Sequence, residues 1–305
     1  MRRRTLSFVA CLIGASACLT LDGFIFTNEA VEDYGWDDDP CDPQLQGELA
    51  ETIELLEGGP EASCHPSLID ADHRMEGMLP FQDREVHWVY AINDDPIATI
   101  FYSHGRTKHL GRYWDRVELL WSLGFNVLTY DYPQYGKSTG DVLDEHTMDE
   151  NAEAVLATLP SLPGVDLNQV YYYGYSLGSA PTTSLAITAF ESSTLPAPRG
   201  IILESPFCSV EALVRDGAFV DFPGEFFADN ELDNCGRIGK IDESITLSII
   251  HGAKDDFILP ANSQQLVDEA GREVRFELVA DANHSEIPVV MGSAYDDWVV
   301  AVVEP

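Results

Sequence analysis

Basic side chains are scarce in this sequence. Lys and Arg number 17 against 52 Asp and Glu, which gives a formal net charge of −35 at pH 7 over 305 residues. Nucleic-acid phosphates would be repelled by such a chain, so nucleic acid is excluded as an expected partner. Hydrophobic residues make up 45% of the sequence, and a packed globular core is therefore expected. We interpret the acidic excess as a solvated surface rather than as a cation-binding function.

Long apolar runs are also missing at the N-terminus. The segment Leu6–Gly14, which follows three arginines, is too short to span a bilayer. The small residues Ala15–Ala17 then precede Cys18, in a pattern that resembles a bacterial lipobox apart from Ala at its first position. We expect a signal peptide over 1–17 and export, either as a cell-envelope lipoprotein (periplasm or outer membrane) carrying lipid on Cys18, or by ordinary cleavage and secretion. Apart from that lipid anchor, no membrane association is expected.

Metal-binding motifs are absent as well. The chain has no Cys-x-x-Cys and no paired-histidine spacing of the zinc-site type, so no zinc site is expected. Export would remove the first of the six cysteines, and the second would carry the lipid. The other four form an even set in an oxidising compartment. Nearness in the chain suggests the disulfides Cys41–Cys64 and Cys208–Cys235, although sequence alone leaves the connectivity open.

Regular patterning begins late in the chain. Residues 18–80 are interpreted as an N-terminal extension, because their apolar spacing is mixed and loop signals interrupt it. Strand-like and helix-like segments then alternate, which predicts an α/β fold with a mainly parallel sheet and helices on both faces. The predicted strands are 86–92, 97–102, 126–132, 170–175, 200–203, 244–250 and 273–279, and the predicted helices are 110–123, 148–159, 177–190, 262–270 and 295–303.

One turn between a strand and a helix carries a candidate nucleophile. The aromatic run Val170–Tyr173 is followed by Gly174–Gly178, with the sequence Gly-Tyr-Ser-Leu-Gly, and then by a helical segment. A serine in this context, flanked by glycines that leave room for a sharp turn, is typical of a nucleophile elbow. The alternative is an ordinary strand-to-helix turn, and we favour Ser176 as a nucleophile because the flanking elements match.

A serine nucleophile needs a base and an orienting acid, and two later strand ends offer them. The segments His251–Asp256 and Asp281–His284 each follow a predicted strand. The order Ser176, Asp255, His284 is the order that hydrolases with a nucleophile elbow use. His104 and His251 are interpreted as bracing the turns that follow their own strands.

Several ordered segments resemble the short-capped serine hydrolases of the α/β-hydrolase superfamily. They are His104–Gly105, Asp131–Ser138, Gly174–Gly178, Leu203–Phe207, His251–Asp255 and Asn283–His284. The resemblance implies an α/β-hydrolase domain over 81–305 with a short cap insertion at about 207–241. It also implies Asp255 as the acid, with Asp256 as the runner-up, and a structural role for Glu204. The backbone amides of Leu177 and Arg106 are the implied oxyanion donors.

That superfamily branch includes esterases, monoacylglycerol lipases and depalmitoylases. The resemblance therefore implies a serine hydrolase that cleaves a small-molecule or lipid-like carboxylic ester or thioester through an acyl-enzyme. Such a reaction needs no metal or organic cofactor, and none is expected. A peptidase variant and an inactive surface-binding protein are the alternatives. The predicted cap contains four phenylalanines that either line an acyl pocket or pack the cap onto the domain. These are Phe219, Phe222, Phe226 and Phe227.

Overall fold

The computed structural model describes residues 25–36, 67–216 and 232–303. Eight strands of these residues form one central sheet, and two short strands pair beside it. Numbered along the chain, the strands are β1 Thr27–Asn28, β2 Arg74–Phe81, β3 Arg84–Ala91, β4 Ala98–Ser103, β5 Thr107–Lys108, β6 Phe125–Tyr130, β7 Val170–Tyr175, β8 Gly200–Glu204, β9 Thr246–Gly252 and β10 Arg275–Val279.

The central sheet has the order β2-β3-β6-β4-β7-β8-β9-β10, and β3 is its one antiparallel strand among the described residues. All residues of β4, β6 and β7 are buried, which matches their apolar and aromatic sequences. The predicted mainly parallel α/β-hydrolase fold is confirmed. Its carboxyl edge is where side chains from separate strands can meet.

Helices cover both faces of this sheet. They are α1 Trp114–Ser122, α2 Glu145–Leu156, α3 Ser179–Glu191, α4 Val210–Arg215, α5 Asn234–Ile238, α6 Ala261–Ala270, α7 Ile287–Met291 and α8 Ser293–Val303. Helices α2, α3 and α6 share one hydrophobic cluster with Phe101 and Tyr172, whereas α1 and α8 share the other with Tyr102 and Tyr173. Alternate residues of β4 and β7 therefore build the two halves of the core.

The sheet begins earlier than the patterning indicates. All but the last residue of β2 lies within the 18–80 range that is interpreted above as an extension, and the strand pairs with β3 over its whole length. It is an edge strand with mostly half-buried or exposed residues, and it contains Gly77 and Pro80. These features weaken the alternation by which a strand is recognised, and Pro is tolerated because an edge strand has one unpaired side.

Several predictions fall on residues outside the described ranges. They are the signal peptide, lipidation of Cys18, the Cys41–Cys64 disulfide, and the four cap phenylalanines. Within the ranges that are described, no helix is both long and apolar enough to cross a membrane.

The described parts of the predicted cap lie on either side of residues 217–231. Helix α4 precedes that interval and α5 follows it. Cys208 and Cys235 form a disulfide, as predicted, and Cys235 N donates to Cys208 O at 2.9 Å. Buried Asn234 donates to Phe207 O at 2.9 Å and to Ser179 Oγ at 3.0 Å, so the cap is fastened to the start of α3.

Candidate active site

Ser176 stands at the junction of β7 and a short 3-10 turn, Ser176–Gly178, that runs into α3. Its φ is 52°, in the left-handed region that non-glycine residues rarely adopt. The flanking glycines permit this turn. A Cβ on Gly178 would lie 2.0 Å from Ser103 O, and a Cβ on Gly174 would lie 2.5 Å from Gly178 O. Close backbone packing therefore requires glycine at both positions. In this turn, Ser176 is 4% exposed.

His284 reaches the serine from the loop after β10. Its Nε2 lies 3.0 Å from Ser176 Oγ, within hydrogen-bond reach. Two contacts fix the backbone of this loop near the imidazole: Ser205 Oγ donates to His284 O at 3.0 Å, and His284 N donates to Asn283 Oδ1 at 2.7 Å. The loop that carries the imidazole is therefore held by residues that follow β8 and β10.

Asp255 follows β9, and both of its carboxylate oxygens are hydrogen-bonded. Oδ2 lies 2.7 Å from His284 Nδ1 and 3.0 Å from His251 Nε2, and Oδ1 accepts from the amides of Phe257 and Ile258 at 2.9 and 2.8 Å. Burial raises the pKa of Asp255, but the hydrogen bonds from the two imidazoles outweigh it and hold the pKa well below its usual range. The carboxylate therefore remains ionised beside the imidazole of His284.

The other sequence candidates are placed elsewhere. Asp256 is exposed, and its amide faces Asn283 Oδ1 at 3.4 Å. His251 is buried and braces the Asp255 loop through Ser263 Oγ at 2.6 Å and Ile258 O at 2.8 Å.

His104 is also buried and lies away from the Ser176–His284–Asp255 chain. Its Nδ1 is 2.7 Å from Gly105 O, and its ring stacks on Tyr113 with 5.4 Å between centroids. Burial lowers the pKa of His104 to about 4, so the ring is neutral near pH 7. A neutral, stacked imidazole of this kind braces the turn after β4.

The two residues implied as oxyanion donors border the same space as Ser176. Leu177 is the first residue after the serine, at the start of the helical turn where an N–H has no acceptor within the helix. Arg106 lies on the loop after β4, and its guanidinium lies 4.8 Å from the ring centroid of Phe257. Burial lowers the pKa of Arg106 from its ordinary value, although the guanidinium stays charged at neutral pH.

A mainly apolar cavity, partly open to solvent, lies beside the serine hydroxyl. Its described lining consists of Ile25, Arg106, Ser176, Leu177, Phe207, Val210, Leu213, Leu232, Phe257 and Ile258. The lining suits a short hydrocarbon chain. No group of three or more His, Cys, Asp or Glu side chains among the described residues is arranged to hold a metal ion.

A buried ion pair beneath the site was not anticipated from the sequence. Arg116 of α1 donates to Glu204 Oε1 at 2.9 Å and to Ser285 O at 3.1 Å, and its guanidinium lies 4.0 Å from the ring centroid of Tyr175. It thus ties the end of β8 to the residue after His284. An arginine on the apolar face of a predicted helix was the available signal, because a buried charge requires a partner.

Comparisons with known proteins point to the same fold. A family model described as "Hydrolase_4: Serine aminopeptidase, S33" matches residues 94–229. The chain is 27% identical over 192 residues to "Uncharacterized protein YfhR" of Escherichia coli O157:H7, covering 63% of this chain and 64% of that protein. It is 29% identical over 192 residues to human "Alpha/beta hydrolase domain-containing protein 17B", covering 62% and 61%. These matches span less than two thirds of either relative.

Among solved structures, the chain is similar to the Pyrococcus furiosus esterase Pf2001. The TM-score is 0.58 at 18% sequence identity, and the match covers 74% of this chain and 88% of the esterase. At that level of identity the likeness concerns the fold alone.

Proposed function

The chain is a member of the α/β-hydrolase superfamily, and from this premise we propose that it is a serine hydrolase that cleaves a carboxylic ester or thioester. One observation carries the proposal: Ser176 Oγ, the imidazole of His284 and the carboxylate of Asp255 form a continuous hydrogen-bonded chain, with steps of 3.0 and 2.7 Å. This is the arrangement that turns a weakly nucleophilic hydroxyl into an attacking group.

In the proposed reaction, Ser176 Oγ forms a bond to the substrate carbonyl carbon as His284 Nε2 takes the hydroxyl proton. The negative charge that develops on the carbonyl oxygen is stabilised by the amides of Leu177 and Arg106. His284 then gives its proton to the departing alcohol or thiol as the carbonyl–oxygen or carbonyl–sulfur bond breaks. Water repeats these steps on the acyl-enzyme, with His284 again as base, and releases the acid. Asp255 holds the imidazole in the required tautomer throughout.

The cavity lining supports an ester with an apolar acyl chain over an amino-terminal peptide. The matching family model is described as a serine aminopeptidase, and an aminopeptidase has to accommodate a free ammonium group. None of the described residues that line the cavity is acidic, so none of them offers a countercharge for an ammonium group. The apolar lining therefore supports the ester or thioester reaction better.

Labelling with a fluorophosphonate probe tests the proposal. We expect the folded protein to be labelled and the Ser176→Ala variant to be inert, both to the probe and to a series of p-nitrophenyl esters. Ser161→Ala, which alters an exposed surface serine, is the matched control and should behave as the wild type. Equal ester hydrolysis by wild type and Ser176→Ala would favour an inactive, ligand-binding member of the superfamily instead.

A further inference from the structure

A segment far from the nucleophile in sequence lies across the carboxyl edge of the sheet. Residues 25–36, which we call the strap, place β1 beside β5 in parallel. Glu29 O accepts from Gly136 N at 2.8 Å, and Val31 N donates to Gly136 O at 3.0 Å. The strap therefore connects the loop after β4, which carries Arg106, with the loop after β6.

The far end of the strap is anchored in the body of the domain. Tyr34 donates a hydrogen bond to the fully buried carboxylate of Asp131. Burial, together with the negative charge of Asp131, raises the pKa of Tyr34 far above its usual value, so the hydroxyl keeps its proton. Trp36 stacks on Tyr34 and on Trp114, with centroid distances of 4.6 and 4.1 Å. These contacts hold the strap in one position relative to the sheet.

The near end of the strap reaches the serine site. Ile25 lines the apolar cavity together with Ser176 and Phe257. Two residues further on, Thr27 donates to Arg106 O twice, from its amide at 3.3 Å and from Oγ1 at 3.0 Å. Three protein donors converge on this carbonyl, because Tyr135 also donates to it at 2.8 Å. The orientation of the Arg106 residue is thus set largely from outside its own loop.

We propose that the strap supplies two residues to the active site: Ile25 as a wall that limits the acyl chain, and Thr27 as a positioning residue for the Arg106 loop. The inference rests on the proposed function and adds to it a specificity determinant from the N-terminal part of the chain. The side chain of Ile25 limits the space for the acyl chain, and an apolar pocket discriminates between substrates by the number of methylene groups that fit. Thr27 acts through Arg106, because an oxyanion donor works only when held at the correct distance.

The acyl-length prediction is tested with Ile25→Ala and Ile25→Phe on p-nitrophenyl esters of four to twelve carbons. We expect Ile25→Ala to raise the ratio of kcat/KM for long over short chains by about tenfold, and Ile25→Phe to lower it by about tenfold. The melting temperature should stay near wild type, which would show that both variants are folded. Parallel chain-length profiles for all three proteins would overturn the assignment of Ile25.

A binding measurement separates this inference from the catalytic one. Calorimetry of free fatty acids with Ser176→Ala, alone and combined with Ile25→Ala, reports the pocket without any reaction. A shift of the preferred length in the double variant supports Ile25 as a wall even if esters are not the substrate. Identical length preference in the two proteins contradicts it, whatever the labelling experiment gives.

Thr27→Val tests the positioning role, because valine keeps the shape and the amide but loses the Oγ1 donor. We expect kcat to fall about tenfold, with KM within about twofold of wild type. Asn28→Ala is the matched control: it removes an exposed strap bond to Gln134 O and should leave kcat unchanged. Equal kcat values for the two variants would contradict the positioning role of Thr27. A fall in kcat that is matched by an equal loss of folded protein would show that Thr27 contributes only to stability.

Discussion

At the scale of single residues, the proposed reaction depends on the placement of Asp255. The side chain is buried, and each of its oxygens serves two partners, so it has no room to rotate away from His284. Asp256, next in the chain, is exposed and lacks these contacts. The two neighbours therefore form a natural pair for comparison.

We predict that Asp255→Asn lowers kcat by about 10³–10⁴-fold with little change in KM. The amide would place an N–H where His284 Nδ1 needs an acceptor, which stabilises the wrong tautomer of the imidazole. Initial rates on a chromogenic ester measure the effect, and Asp256→Asn should retain wild-type kcat. Comparable losses in the two variants would mean that the acid has been assigned to the wrong residue.

A second aspartate, Asp149 on α2, makes stability depend on pH. Burial raises its pKa to about 7, and the hydrogen bond that it accepts from Ser184 at 2.5 Å offsets only part of this. Because the folded pKa lies above the unfolded value near 3.8, the unfolded chain releases this proton first as pH rises. This side chain therefore makes the protein progressively less stable between about pH 4 and about pH 7.

Replacing Asp149 with Asn removes the titrating proton and keeps an acceptor for Ser184. We predict that Asp149→Asn gains stability relative to wild type as pH rises from 5 to 8, by about 2 kcal/mol. Urea unfolding at the two pH values measures the difference. Asp141→Asn, on an exposed turn, controls for loss of one negative charge. A stability difference that is the same at pH 5 and pH 8 would contradict the assignment.

At the scale of elements, the sequence was informative where burial is complete. The run Val170–Tyr175 is buried throughout, and its strand was therefore recognisable with the correct ends. Because the parallel strands end at one edge, Ser176, Asp255 and His284 could be predicted to meet although they are distant in the chain. The choice of Asp255 over Asp256 came from the family resemblance and not from patterning.

Elements stabilised by few tertiary contacts were harder to recognise. The edge strand β2 alternates weakly, and β1 contains only two residues, so neither carries a periodic signal. The strap is held instead by particular bonds, such as Tyr34 to Asp131 and Thr27 to Arg106. Contacts between residues some 80 to 100 positions apart have no local pattern from which they could be inferred.

The disulfide between Cys208 and Cys235 closes a loop that contains the interval between α4 and α5. A cross-link over a sequence separation of 27 stabilises a protein by about 3 kcal/mol, because it restricts the unfolded chain. We predict that the double variant Cys208→Ala/Cys235→Ala melts roughly 5–10 °C lower than wild type. Thermal unfolding measures this, and an excess of reductant should bring the two proteins to the same midpoint. Coincident melting without reductant would show that the bond adds no stability.

At the scale of the whole molecule, the net charge of −35 opposes the compact state. Several of the basic side chains are committed to internal pairs, as Arg116 is to Glu204 and Arg84 to Glu150. Such pairs neutralise particular carboxylates but leave most of the acidic surface to repel itself. Added salt weakens this repulsion, because the Debye length falls from about 30 Å at 0.01 M to about 3 Å at 1 M.

We therefore predict that the melting temperature rises between 0.01 and 1 M NaCl by an amount on the order of 5 °C. Screening depends on ionic strength and not on the identity of the cation, so choline chloride should act as NaCl does. Millimolar CaCl₂ at low ionic strength should give only a small part of the rise, whereas a dedicated cation site would respond to it in full. Since surface repulsion and the serine site are separate, fluorophosphonate labelling at 25 °C should be nearly independent of salt. A melting temperature that is flat across this range would mean that the acidic surface costs the folded state little.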